Sequence, residues 1–308
     1  MKIIKLLKHL FGYLFGAQIA RYQDRKKKYK NYLSICAIFR NEAIYLSEWI
    51  EFHYRIGVDH FYLYNDRSND QYLAVLAPWI DKGIVTLKDW HGKTQKSAYN
   101  DCIDRNKIDS KWIAFIDIDE FLFSPSGDNL KDVLARYNDC VAIFVYWVLY
   151  GSSGHVNRPE GKVTMNYTKC MDYESALKDN FDHQWDAEDM SNYVTGWAQD
   201  GKSIVNPRFI REYNIHAPKF LWSGVLLNEN RVIPVLKNQG NSSTYSYSIL
   251  RINHYWSKSI EDLKEKVDRG SVCNNKRPKR NLSRWIEREK HLNVVEDKVI
   301  FNSLKLKN

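Results

Sequence analysis

Residues 111–123 read Lys-Trp-Ile-Ala-Phe-Ile-Asp-Ile-Asp-Glu-Phe-Leu-Phe. The apolar run from Trp112 to Ile116 has the length of a buried strand. It runs straight into three acids, Asp117, Asp119 and Glu120. Carboxylates left unpaired at the end of a buried strand cost on the order of several kcal/mol, so something cationic must meet them. Side chains alternate along a strand, which predicts Asp117 and Asp119 on one face. Two hard oxygen donors on one face suit Mg²⁺ or Mn²⁺, and such an ion in turn holds a phosphate-bearing substrate.

The flanking sequence predicts a parallel α/β arrangement. Leu33–Phe39, His60–Tyr64, Ile84–Leu87, Trp112–Ile116 and Val141–Tyr150 read as strands. Between them fall helical patterns. Leu46, Trp49, Ile50 and His53 form an apolar stripe that Gly57 ends and Asn41 is placed to cap. Leu73, Leu76, Ala77 and Ile80 mark a second helix, which Pro78 is expected to kink or split. Lys93–Lys107 and Asp128–Tyr137 follow. Strands alternating with helices imply a covered sheet whose ligands sit beyond the carboxyl ends of the strands. Polar clusters stand at those ends: Arg40-Asn41-Glu42, Asn65 to Asp70, and Asp117 to Glu120. The glycine fingerprints of dinucleotide-binding and P-loop proteins are absent.

Charge is concentrated at the ends. Residues 1–30 hold nine Lys or Arg and one acid, and residues 269–308 hold eleven and four. The body between them is net acidic, since the whole chain is only +9. The ends want a polyanion, and a membrane surface is the expected one; nucleic acid is not an expected partner, because the acidic site region is flanked rather than lined by base. Near the start, Ile3, Ile4, Leu6, Leu7, Leu10, Phe11, Leu14 and Phe15 oppose Lys2, Lys5 and Lys8, an amphipathic pattern with a basic side. It is too interrupted to span a bilayer, and a signal peptide is the alternative reading. Five scattered cysteines without a C-x-x-C pair suggest neither zinc nor a disulfide framework and fit a reducing compartment. The expected location is cytoplasmic, peripheral to the inner face of the cell membrane. The expected division is a membrane-associating segment 1–30, a main domain 31–255 and a basic helical extension 256–308.

Several segments, taken in order, resemble the family 92 glycosyltransferases. These are Ile35-Cys-Ala-Ile-Phe-Arg-Asn-Glu42, Glu48-Trp-Ile-Glu-Phe-His53, Gly57, Tyr64-Asn-Asp-Arg-Ser-Asn-Asp70, Trp112 to Phe121, Tyr150-Gly-Ser-Ser-Gly-His155, Asn206-Pro-Arg208 with His216, and His254-Tyr-Trp-Ser-Lys-Ser259 followed by Lys266 and Arg269-Gly270. The resemblance implies a GT-A fold, a Rossmann-like mixed sheet flanked by helices. It also implies an inverting transferase that takes a hexose, galactose above all, from a UDP-sugar. Mn²⁺ or Mg²⁺ would be held at a DxD motif, here Asp117-Ile118-Asp119. The acceptor would be a saccharide or glycolipid, in bacterial surface-polysaccharide or lipooligosaccharide assembly.

Within that frame the residues take candidate roles. Asp119 would ligate the metal, and Asp117 would meet the metal or the ribose. Arg40 faces pyrophosphate or base, and Asp66 or Asp70 ribose or uracil, although Asn, Asp and Ser are ordinary turn residues too. Gln95 and Lys96 open a helix where phosphate would suit. His155, His216 and His254 are candidates for a further metal ligand or a pyrophosphate contact. Lys258 is a candidate phosphate ligand beside Ser259-Ile-Glu-Asp262, which reads as a capping box. The base for the acceptor hydroxyl is a carboxylate, with Glu120, Glu188 and Asp189 as candidates. Trp185, Trp197 and Trp222 are candidates for sugar stacking or for core. Rival readings are a nucleotide-sugar hydrolase, a nucleotidyltransferase, and a non-catalytic polyanion-binding relative.

Overall fold

The computed structural model describes residues 28–173, 200–221, 224–234, 245–269 and 282–305, with Phe15, Gln18 and Tyr22 besides. The basic amphipathic segment therefore lies almost wholly outside the described residues. So do Trp185, Glu188, Asp189, Trp197 and Trp222.

The elements begin β1 (Asn31–Phe39), α1 (Ala43–Arg55), β2 (His60–Asn65), α2 (Tyr72–Asp81), β3 (Val85–Asp89), α3 (Gln95–Asn106) and β4 (Ser110–Phe115). Then come β5 (Glu120–Phe123), α4 (Leu130–Ala135), β6 (Ala142–Tyr150), α5 (Val163–Asn166), β7 (Lys169–Cys170) and β8 (Gly201–Val205). The chain continues through β9 (Ile210–Tyr213), β10 (Pro218–Phe220), β11 (Leu226–Asn228), β12 (Arg251–Tyr255) and α6 (Ile260–Arg269). It closes with α7 (Leu282–Lys290), β13 (Val295–Glu296) and α8 (Val299–Lys305). This is the mixed α/β architecture the sequence predicts. Two compact units result: residues 1–118, 128–145 and 202–234 form one, and 119–127, 146–201 and 235–308 the other.

In the first unit β3, β2, β1 and β4 run parallel in that order, and β8 adds to β4 antiparallel. β1 is bonded on both edges, which explains its unbroken apolar run: almost every residue is buried. Its one inward hydroxyl is matched across the ladder, Ser34 Oγ to Ser110 Oγ at 2.8 Å. Thr94 caps α3 by accepting from the Ser97 N–H, and Asn129 caps α4 through the Lys131 N–H. In the second unit β12 pairs antiparallel with β5 and parallel with the end of β6. β7 and β13 extend that edge antiparallel.

Several expectations need correction. α1 is not capped by Asn41, which adopts φ +52° and instead accepts the Asn69 N–H on its side-chain oxygen. The start of α1 is served from another loop, by Asp70 Oδ2 accepting the Ala43 N–H at 2.8 Å. α2 is not split at Pro78 but runs on from Tyr72 to Asp81. Both Pro78 and Ala74 are exposed, so water can satisfy the carbonyl that proline leaves without a donor. The expected stripe of α2 is also misplaced: Leu73 is 56% exposed, and the inward side is Tyr72, Val75, Leu76 and Trp79. Most consequential, β4 ends at Phe115. Asp117 and Asp119 stand in the turn beyond it, so strand alternation does not govern where they point.

Gly57 ends α1 as expected, at φ +111°. A Cβ there would lie 2.1 Å from the Asn129 side-chain oxygen that caps α4. Gly57→Ala should therefore cost about 2 kcal/mol or more, from the left-handed backbone and the disturbed cap together. The urea midpoint measures it, and an unchanged midpoint would contradict the packing described. The four described cysteines, Cys36, Cys102, Cys140 and Cys170, are all buried free thiols. Burial raises the Cys36 thiol well above its ordinary range and takes Cys170 to about 12.

Candidate active site

In the first unit, the loops after β1 and β2 are locked together at their carboxyl ends. Arg40 forms an ion pair with Asp66 and donates through Nε to the Asp66 carbonyl at 2.9 Å. Asp66 is 1% exposed and also accepts the Gly92 N–H at 3.2 Å and Arg67 Nε at 3.1 Å. Burial alone would raise the Asp66 pKa, but the Arg40, Gly92 and Arg67 donors outweigh it and hold the carboxyl below its usual value. Its ionised form is thus favoured by folding. That stabilisation is complete above the unfolded pKa of about 4 and is lost as pH falls further, through the folded value. Asp66→Asn should therefore flatten the acid limb of stability below about pH 4, as read by urea midpoints across pH. An unaltered limb would show that Asp66 contributes nothing there.

Asp117 also belongs to this unit. Its Oδ1 accepts from Gln95 Nε2 at 2.6 Å and from the Tyr99 hydroxyl at 3.0 Å. Its Oδ2 accepts from Lys202 Nζ at 2.9 Å. Lys202 is 1% exposed within β8, so a buried ammonium supplies the positive charge that the sequence demanded for this acid. Lys96 beside Gln95 pairs instead with Glu212. His216 stands in the β9–β10 turn, where its carbonyl accepts from Ser203 Oγ at 2.8 Å.

The second unit holds the other acids. Tyr255 N–H on β12 donates to the Asp119 carbonyl at 2.8 Å, and the β5–β12 register sets His254 opposite Glu120. Strand pairing thus brings Asp119, Glu120 and His254 together, each with a ligand atom within 4.8 Å of the others. His254 Nε2 lies 3.6 Å from Asp119 Oδ2, and Nδ1 lies 4.0 Å from Glu120 Oε1. The ring also packs at 4.6 Å on Trp147. Lys266 on α6 donates to Asp119 Oδ2 at 2.7 Å. Burial would raise the Asp119 pKa, yet the charges of Lys266, His254 and Lys258 hold it well below the carboxylate range. Lys258 is buried beside the capping box, which forms as the sequence predicts: Ser259 Oγ accepts the Asp262 N–H at 3.0 Å and Asp262 Oδ2 accepts the Ser259 N–H at 3.2 Å. His155 points its Nε2 at the Asn166 carbonyl, 3.3 Å away.

Two carboxylate oxygens and one imidazole nitrogen at this spacing fit a divalent cation such as Mn²⁺. The fitting set is Asp119, Glu120 and His254; Asp117 and His216 take no part in it. Glu120 has a fully buried side chain, which suits a ligand better than a base that must meet an acceptor. The two lysines that meet the acids, Lys202 and Lys266, had no assigned role in the sequence reading. A lone lysine inside the apolar strand Gly201–Val205 was the signal available for the first.

The Glycosyltransferase family 92 profile matches residues 31–288. This chain belongs to glycosyltransferase family 92. A family 92 protein of Oryza sativa subsp. japonica is 33% identical over 155 residues, covering 49% of this chain and 26% of the relative. One of Ricinus communis is 28% identical over 206 residues, covering 61% and 37%. The Galactan beta-1,4-galactosyltransferase GALS3 of Arabidopsis thaliana is 34% identical over 98 residues, covering 28% and 19%. The family 92 chain described here thus spans well under half of the length of these curated relatives. Among solved structures, S. aureus TarS in complex with UDP has a TM-score of 0.36 at 11% identity, covering 58% of this chain and 47% of that one.

Proposed function

We propose that this family 92 chain is a glycosyltransferase moving a hexose from a UDP-sugar to a saccharide acceptor. Galactose is the first candidate, because relatives include galactan galactosyltransferases. The observation that carries the reading is the Asp119–Glu120–His254 group, built in a chain of this family just after a parallel strand. A divalent cation held there would neutralise a diphosphate leaving group. Asp117, oriented by Lys202, Gln95 and Tyr99, is an acceptor suited to a ribose hydroxyl. Arg40 and Asp66 spend hydrogen bonds on each other, so in this reading they shape the rim, whereas Asp70 commits Oδ2 to the start of α1 and keeps a buried Oδ1 without a hydrogen bond among the described residues. In an inverting transfer the acceptor oxygen bonds C1 as the bond to the diphosphate breaks, and a carboxylate takes the hydroxyl proton. Asp189 is our candidate for that base.

The test is UDP release from a panel of UDP-sugars, with and without acceptor saccharides, in Mn²⁺ and in EDTA. Acceptor-dependent release from one donor, lost in EDTA, is the expected result. Release that ignores the acceptor would favour a hydrolase, and no release from any donor would defeat the reading. We further propose that residues 1–30 hold the enzyme to anionic membranes from the cytoplasmic side. No helix among the described residues is long and apolar enough to cross a bilayer. Sedimentation with phosphatidylserine vesicles should be lost when residues 1–30 are removed, with activity on a soluble acceptor retained. Equal sedimentation would refute the anchor.

A further inference from the structure

Lys266 sits where the proposed cation would bind. Its Nζ is 2.7 Å from Asp119 Oδ2, the oxygen that also faces His254 Nε2. The same ammonium donates to the Trp256 carbonyl at 2.9 Å and lies 5.8 Å from the Trp256 ring centre. A divalent cation bonds a carboxylate oxygen at about 2.0–2.2 Å, and an ammonium on that same oxygen would face it as a close like charge. Cation binding at this carboxylate therefore weakens the lysine's hold on it.

The local structure makes the lysine the one to move. The Ser259–Asp262 capping box fixes the start of α6, and Arg158 Nε reinforces it by donating to Asp262 Oδ1 at 2.8 Å. The backbone that carries Lys266 is thereby held, whereas its four-carbon stem can swing the ammonium several ångströms at small cost. Asp119 is tied at its own backbone by Tyr255.

We propose that Lys266 is an exchangeable counter-ion. A divalent cation displaces it from Asp119, and the released ammonium becomes a ligand for the diphosphate of the donor. The site is then charge-compensated in both states: by lysine before loading, and by the cation on the carboxylates with lysine on the phosphates after it. Lys258, buried in the same unit, also acts on Asp119 through its charge and stays in place. The nucleotide half of this inference rests on the transferase reading above; the cation half does not.

The experiment uses the full chain and two titrations. Free Mn²⁺ is followed by electron paramagnetic resonance for wild type, Lys266→Met and Lys266→Arg. UDP is then titrated calorimetrically at saturating Mn²⁺. Lys266→Met should bind Mn²⁺ about tenfold tighter and UDP about tenfold weaker, opposite shifts that a merely structural lysine would not produce. Lys266→Arg should keep UDP affinity near wild type without the gain in Mn²⁺ affinity. Equal or weaker Mn²⁺ binding by Lys266→Met overturns the exchange, as does the absence of Mn²⁺ binding by either protein. Unchanged UDP affinity overturns the phosphate role. Failure of wild type to bind UDP defeats the donor reading with it, while the first titration still decides the cation half. Should Lys266→Met melt like an unfolded chain, Lys266→Gln takes its place in both titrations.

Discussion

Replacing Asp119 with asparagine should lower sugar transfer by about a thousandfold, the scale of losing a group that stabilises charge in the reaction. Asparagine keeps the shape and removes the charge. The variant removes one carboxylate from the proposed cation set and leaves Lys266 without its charge partner, 2.7 Å away in the wild type. Glu120 and His254 remain but no longer form a set of two carboxylates. The comparison variant is Asp117→Asn. Its Oδ1 can still accept from Gln95 and Tyr99, so its main effect should fall on the KM for the donor. Turnover by Asp119→Asn close to wild type would place the chemistry elsewhere in the chain. Loss of Mn²⁺ binding alongside turnover would tie the two together.

The largest effect on stability is expected at Arg251. Its side chain is 2% exposed, yet every nearby acceptor is engaged. Nη2 donates to Asp297 Oδ2 and to the Tyr150 hydroxyl, each at 2.7 Å, and Nε donates to Asn253 Oδ1 at 2.7 Å. The guanidinium also lies 5.8 Å from the Phe123 ring centre and 5.5 Å from that of Tyr247. Arg251→Met keeps the volume but strands the mostly buried Asp297 carboxylate, at a cost of about 3–5 kcal/mol. The urea midpoint should fall with its slope unchanged. Arg251→Lys should recover only part, since an ammonium cannot reach three acceptors set out for a planar fork. A loss below about 1 kcal/mol would mean the cluster is less dry than it is drawn here.

Much of the first unit was legible because its signals are local. β1, α1, β2, α3 and β4 follow from apolar runs and stripes that lie within a dozen residues of one another. The capping box at Ser259 is local in the same way. What failed locally was the reach of one strand: Ile116-Asp-Ile-Asp looks like continued alternation, but the strand ends at Phe115 and the chain turns at Ile118 and Asp119. What was illegible is long-range. Lys202 meets Asp117 across 85 residues and Lys266 meets Asp119 across 147, and nothing in either segment announces its partner. The antiparallel pairing of β5 with β12, which sets His254 against Glu120, joins equally distant segments. The sequence argued soundly that cations must compensate the acids. Two lysines supply the compensation, and a divalent ion of the kind proposed would compete with one of them, Lys266, for its place.

The buried thiols turn the molecule into its own recorder of breathing motions. Only a thiolate in contact with solvent attacks a disulfide reagent, so each sulfur stays silent until its own segment opens. Cys36 would report β1 leaving its two neighbours, Cys102 the lifting of α3, Cys140 the approach to β6, and Cys170 the two-residue strand β7. Labelling followed by mass spectrometry would then rank these four regions by the rate at which each escapes the native state. The two-residue strand β7 should be tagged first, and the nine-residue β1, held along its length by β2 and β4, last.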